Sequence, residues 1–186
     1  MHVCMITAMP VMNAHDAIGL LRGIPATHGR VREVALPPAA RRLCTLSHLD
    51  YEDAFLIEIG PARDRTPEQW ARAFLEDAPI TIRSALRSGW FALGLQLAST
   101  RSERFVLGWE VRRSTPEFVI LGGSSRIGLS AELLFKRHTH TLLYATLLHT
   151  ANPIARAVWA GVGPVHRPVV RYVLEQGSRR IAEGSA

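Results

Sequence analysis

Cysteine is scarce: the 186 residues hold two, Cys4 and Cys44, neither in a C-x-x-C pair, which excludes a disulfide framework and a zinc signature. A reducing cytoplasm is the expected setting. Lysine is scarcer, Lys136 being the only one among 22 basic residues. The arginines come as scattered pairs, Arg41/Arg42, Arg112/Arg113 and Arg179/Arg180. The net charge of +6 and pI near 10.3 therefore lack the basic stripe with interleaved aromatics that a nucleic-acid surface needs, and no nucleic-acid partner is expected. Long apolar runs are missing too: Arg, Glu, Asp or Gly interrupts every stretch before the ~18 to 20 residues that a spanning helix requires. That excludes a transmembrane segment and leaves peripheral membrane contact open.

Catalytic signatures are absent as well. There is no G-x-S-x-G or H-E-x-x-H. The cluster Gly122, Gly123, Ser124, Ser125 is not followed by a strand-to-helix step, so it fails as a phosphate-cradling loop. No cofactor is expected. His138 and His140 form an H-x-H at a polar turn, with His149 nine residues beyond His140. Two imidazoles can face one way on a strand, but a third ligand is lacking and no metal is expected.

What is present is globular. Apolar residues make up 47% and charged residues 20%, enough to bury a core and too apolar for disorder, and the length suits one domain. The start, MHVCMITAMPVM, has no basic residue before Arg22 and does not read as a secretory signal. Residues 1–30 are expected to be a weakly attached tail, or a short helix from Asn13 to Leu21 docking on a domain at 31–183.

Alternation from Tyr51 to Gly60 predicts a strand with Asp53, Phe55, Ile57 and Ile59 on one face. Thr66-Pro67-Glu68-Gln69 is a capping box that starts a helix carrying Trp70 and Phe74. A second helix follows, with Ile82, Leu86, Trp90, Leu93 and Leu97 on its apolar side. Four strand-like segments come next: Phe105 to Arg112, Glu117 to Leu121 ended by Gly122-Gly123, Gly128 to Phe135, and Thr141 to His149. Their short links make them antiparallel neighbours. Asn152 and Pro153 then cap a long helix whose stripe runs through Val158, Val162 and Val165, with a kink or restart expected near Gly163 because of Pro164 and Pro168.

The fold class is thus α+β: about five antiparallel strands, two helices after the first strand and a long kinked C-terminal helix. That order resembles the helix-grip fold of the SRPBCC superfamily, which includes START-like lipid-transfer and polyketide-cyclase-like proteins. The resemblance is carried by Asp50 to Phe55 and by Thr146 through Asn152 and Trp159 to Pro164-Val165-His166-Arg167, within about Val31 to Ile181. It implies a bacterial protein with a curved sheet gripping the C-terminal helix around an apolar cavity, and a small hydrophobic molecule, lipid or polyketide-like, as partner. The residues assigned to that cavity are Phe55, Ile57, Trp90, Leu93, Leu107, Trp109, Leu133, Tyr144, Thr146, Val162 and His166.

Three side chains are candidates for chemistry. Asp53 shares a face with Phe55 and Ile57, where a carboxylate needs a partner such as Arg42 or Arg167. His166 and Arg167 follow Pro164 in the helix that would roof the cavity; they either contact a ligand or tie helix to sheet. Without a recognisable catalytic constellation, non-catalytic ligand binding is the leading expectation. The alternatives are a cyclase- or dehydratase-like enzyme using Asp53, His166 and Arg167, and an accessory protein that grips a partner helix.

Overall fold

The capping box forms as its residue types require: in the computed structural model, the Gln69 amide donates to Thr66 Oγ1 at 3.2 Å and the Thr66 amide to Gln69 Oε1 at 2.8 Å. Residues 30–59, 64–98 and 102–183 are described; the expected tail or docking helix at the N-terminus lies outside them. In chain order the elements are β1 (Val31–Val34), α1 (Pro38–Arg41), β2 (Tyr51–Glu58), α2 (Pro67–Leu75), α3 (Ile80–Ala92), β3 (Phe105–Val106), β4 (Trp109–Ser114), β5 (Phe118–Ser124), β6 (Leu129–Arg137), β7 (Thr141–Thr150) and α4 (Pro153–Glu183). No helix among the described residues is long and apolar enough to cross a membrane.

The chain is α+β. Its strands form one seven-stranded sheet in the order β1-β2-β7-β6-β5-β4-β3, with antiparallel neighbours throughout. Side chains alternate across a strand, and here both faces are covered. On the inner face, Phe55, Ile57, Leu133, Phe135, Leu142 and Tyr144 pack with Trp70 and Phe74 of α2 and with Trp159, Val170 and Leu174 of α4. On the outer face, Ala54, Leu134, Leu143, Ala145 and Leu147 pack under Ala40, Leu36, Leu43 and Leu46 from the segment between β1 and β2. Double burial explains why β7 is buried without interruption from Leu142 to Leu148.

The strand count exceeds the expected five for two reasons. β1 precedes the first strand read from the sequence, and its four residues, VREV, are too few to show a period. The stretch from Phe105 to Arg112 is also two strands, because Leu107 and Gly108 take positive φ (47° and 96°) and turn the chain back so that Val106 faces Trp109. Gly122 and Gly123 do not end a strand; they lie inside β5.

The second helix ends at Ala92, before Leu97. Leu95 there makes an isolated bridge to Ser125 instead. α4 continues from Pro153 to Glu183 through Pro164 and Pro168 without the expected restart. Arg156, Ala160, Pro164 and Pro168 are all exposed. Spaced by four, they form one solvent-facing row, where water can satisfy the carbonyls that each proline leaves without a donor.

Candidate functional site

Asp53 and Tyr51 sit two apart on β2, so both side chains project onto the inner face. Asp53 is 4% exposed and its carboxylate is fully engaged. Tyr51 O–H donates to Oδ2 at 2.7 Å, and the Thr146 amide, from the register partner on β7, donates to Oδ1 at 3.2 Å. His166 Nε2, from α4, lies 3.3 Å from Oδ2. The same nitrogen is 3.2 Å from Thr146 Oγ1, which is 3.1 Å from Tyr144 Oη. Arg167 Nε donates to Tyr51 Oη at 3.1 Å, and its Nη1 pairs with Glu33 of β1 at 3.3 Å.

The electrostatics follow from these contacts. Burial alone would raise the Asp53 carboxyl, but hydrogen bonding and charge from His166, with further bonds from Tyr51 and Thr146, outweigh it and hold the group below the ordinary carboxylate range. Burial pushes the Tyr51 and Tyr144 phenols up, and the Asp53 charge pushes them further. Tyr51 is thus a proton donor to Asp53 over the whole physiological range. The His166 ring is held edge-on by Tyr51 at 5.8 Å and by Trp159 at 5.0 Å between centroids. Its Nδ1 makes no hydrogen bond among the described residues. A carboxylate on one ring nitrogen and a free second nitrogen can fix the tautomer and present one site for donating or accepting a proton.

Next to this cluster, where β1 stops and β2 runs on, an open groove of about 520 Å³ is lined by Glu33, Val34, Ala35, Leu36, Glu52, Asp53 and Arg167. The Arg167 side chain is half-exposed at its mouth. Asp53, His166 and Arg167 therefore converge at one place. Asp53 does not pair with an arginine, though: its partners are a tyrosine, a histidine and a backbone amide.

The residues assigned to a cavity all gather on the inner side. Phe55, Ile57, Leu93, Trp109, Leu133 and Tyr144 are buried in one cluster, with Trp90, Leu107 and Val162 packed against it half-buried. Thr146 and His166 belong to the polar end. Away from that end, Trp90 of α3 meets Trp109 of β4 edge-on at 5.3 Å.

Tyr51 and Trp159 belong to the motifs that carry the resemblance but not to the candidate site residues, and Glu33 belongs to neither. Tyr51 was findable, since period two puts it on the face of Asp53; Glu33 was not, because β1 carries no readable period. His138 and His140 are exposed in the β6–β7 turn. His149 binds Asp50 through Nδ1 at 2.9 Å at the other end of β7. Among the described residues no group of three ligating side chains could hold a metal ion.

No protein-family model matches the chain, and no curated protein matches it.

Proposed function

We propose that this chain is a helix-grip protein of the SRPBCC kind. In this reading it binds a small hydrophobic molecule, lipid or polyketide-like, between the inner sheet face and α4, without transforming it. The observation that carries this reading is an inner face that is apolar from β4 to β2 and ends in one buried hydrogen-bonded cluster, Asp53–His166–Thr146–Tyr144–Tyr51. An apolar surface with a few convergent polar groups suits a ligand with an apolar body and one polar end. Asp53, held by the Tyr51 hydroxyl and the Thr146 amide, positions His166, whose free nitrogen and neighbour Arg167 meet that polar end.

A second reading, a cyclase- or dehydratase-like enzyme in the same place, is favoured by the Asp53–His166 pair itself. A carboxylate-oriented imidazole is the usual form of a general acid or base, worth ~10² to 10⁴ in rate. Native mass spectrometry of the purified protein identifies a copurified molecule, and titration with that molecule separates the readings. Under the first, His166→Ala weakens binding about tenfold, the equivalent of one hydrogen bond, and neither protein changes the molecule. Under the second, wild type converts it and His166→Ala abolishes conversion while affinity stays within about tenfold. Unchanged affinity and no conversion in either protein overturn both.

A further inference from the structure

We infer that α3 is a lid over the β3–β5 part of the inner face, and that the molecule it admits is neutral, mostly apolar, and offers a carbonyl or ether oxygen to Trp109 Nε1. This rests on the ligand-binding reading above and adds a second contact far from the Asp53 cluster. Trp109 is 2% exposed, yet its Nε1 is buried with no hydrogen-bond partner among the described residues. Buried indole N–H groups usually find an acceptor. Trp90 meets the Trp109 ring edge-on, a Cβ at Gly123 would touch its six-membered edge and Leu95, and the ring belongs to the apolar inner cluster, so a neutral acceptor would satisfy the donor without bringing a charge into apolar surroundings. Trp70 Nε1 also has no partner among the described residues, but its ring is stacked on Phe74 and lies under Arg65.

The adjoining turn points the same way. With Leu107 and Gly108 both at positive φ, it has the form in which Asn-Gly is favoured, and leucine carries a steric penalty there. The Leu107 amide is held by Glu76 Oε1 at 2.9 Å, and its side chain reaches the inner cluster half-buried. Strain kept at a position that delivers an apolar side chain to the inner cluster, two residues before an unmatched donor, fits a binding contact.

α3 has the build of a part that opens. Its N-cap, Pro79, makes no side-chain cap bond, its first turn has no acid and its last no base, and none of its residues is buried. Ile80, Thr81, Ile82 and Gly89 lower its intrinsic propensity. Its hydrophobic contacts with the inner cluster are the partly buried Leu86 and Trp90, while Phe91 is 82% exposed. Pro79 at one end and Gly94, at φ 68°, at the other are natural pivots. Elements with so little burial belong to the low-stability end of a fold.

The test uses the full chain and two fluorescent probes: 6-propionyl-2-dimethylaminonaphthalene, which carries a ketone, and diphenylhexatriene, which has no polar atom. Trp109→Phe should weaken the ketone probe about two- to tenfold, as for one neutral hydrogen bond, and leave diphenylhexatriene within about twofold. Leu107→Asn should raise the melting temperature and weaken both probes. Hydrogen exchange of wild type should show amides of Ile80–Ala92 opening faster than those of Pro67–Leu75 and slowing when the ketone probe binds. Equal effects of Trp109→Phe on both probes, unchanged binding by Leu107→Asn, or α3 amides as protected as α2 and indifferent to probe, would overturn the lid and its acceptor while leaving ligand binding at the Asp53 end intact. Failure of either probe to bind wild type would remove the ligand-binding reading and this inference with it.

Discussion

Replacing Arg112 by methionine is expected to destabilise the fold by about 3 kcal/mol, because it leaves a buried carboxylate without its counter-charge. In a domain of this size that lowers the melting temperature by roughly 6 to 12 °C. Glu132 on the outer face is 0% exposed. Its Oε1 pairs with Arg112 Nη1 at 2.9 Å and also accepts from Thr45 Oγ1, while Oε2 accepts from the Thr45 amide at 3.0 Å. The carboxylate thereby anchors the covering segment, between β1 and β2, onto the sheet.

Arg112 reaches Glu132 by lying across Gly122. The strand register shifts between Val111 and Arg113, where Arg112 sits, and a Cβ on Gly122 would stand 1.9 Å from Arg112 Nε. Gly122→Ala should therefore displace the guanidinium and cost about as much as Arg112→Met, and the double variant should cost little more than either alone, since both remove one interaction. Urea unfolding of the three proteins checks this. A neutral Gly122→Ala beside a costly Arg112→Met would mean that the arginine reaches Glu132 by another route, and neutral results for both would mean that the ion pair contributes little. Replacing Arg112 and Glu132 together by apolar residues should recover only part of the loss, because the pair itself can exchange for hydrophobic packing but the Thr45 amide and hydroxyl lose their acceptor.

Asp53→Ala should be comparably damaging, about 3 kcal/mol, for it strands His166 against the sheet and leaves Tyr51 Oη and the Thr146 amide without their acceptor. The charge has its own signature in pH. Because the folded carboxyl titrates below the unfolded value, the unfolded chain binds more protons between the two, and stability rises with pH through that interval. The contribution is complete above the unfolded value near 3.8 and is lost as pH falls through the lower folded one. Asp53→Asn should flatten the acid limb of the stability profile relative to wild type; Asp50, also depressed by its bond from the Thr150 amide, keeps the remainder. Unfolding midpoints followed from about pH 5 downward through the unfolded value near 3.8 and below it measure the difference. An identical acid limb in Asp53→Asn would show that the His166 contact carries no net charge interaction.

The Cys44 thiol is shifted in the opposite direction from these carboxyls. Burial, with the nearby Glu132 charge adding to it, moves it up to about 11. It is therefore a neutral, unreactive thiol at physiological pH rather than a nucleophile.

What the sequence determined by itself is what repeats along the chain or sits within one turn. The Thr66–Gln69 box, the Asn152 cap, the alternation of β2, β6 and β7 and the stripe of α4 are local patterns, and local sterics and hydrogen bonding suffice to select them. Asp53, His166 and Arg167 could be nominated singly, from polarity on an apolar face and from position in the last helix.

Their union could not. Asp53 and His166 are joined by the pairing of β2 with β7 and by α4 crossing the same face, and distance in space between residues far apart in sequence is decided by packing of the whole sheet. The same holds for Gly122. As a sequence feature it reads as a break, and only the arginine lying across it, aimed by an irregularity in the neighbouring strand, makes it the interior of a strand. Leu107 is the sharpest case. Its side chain argues for a strand, and the positive φ that turns the chain there is held from outside, by Glu76 on its amide and by the apolar cluster around its side chain. Tertiary contacts can sustain a backbone that local preference disfavours.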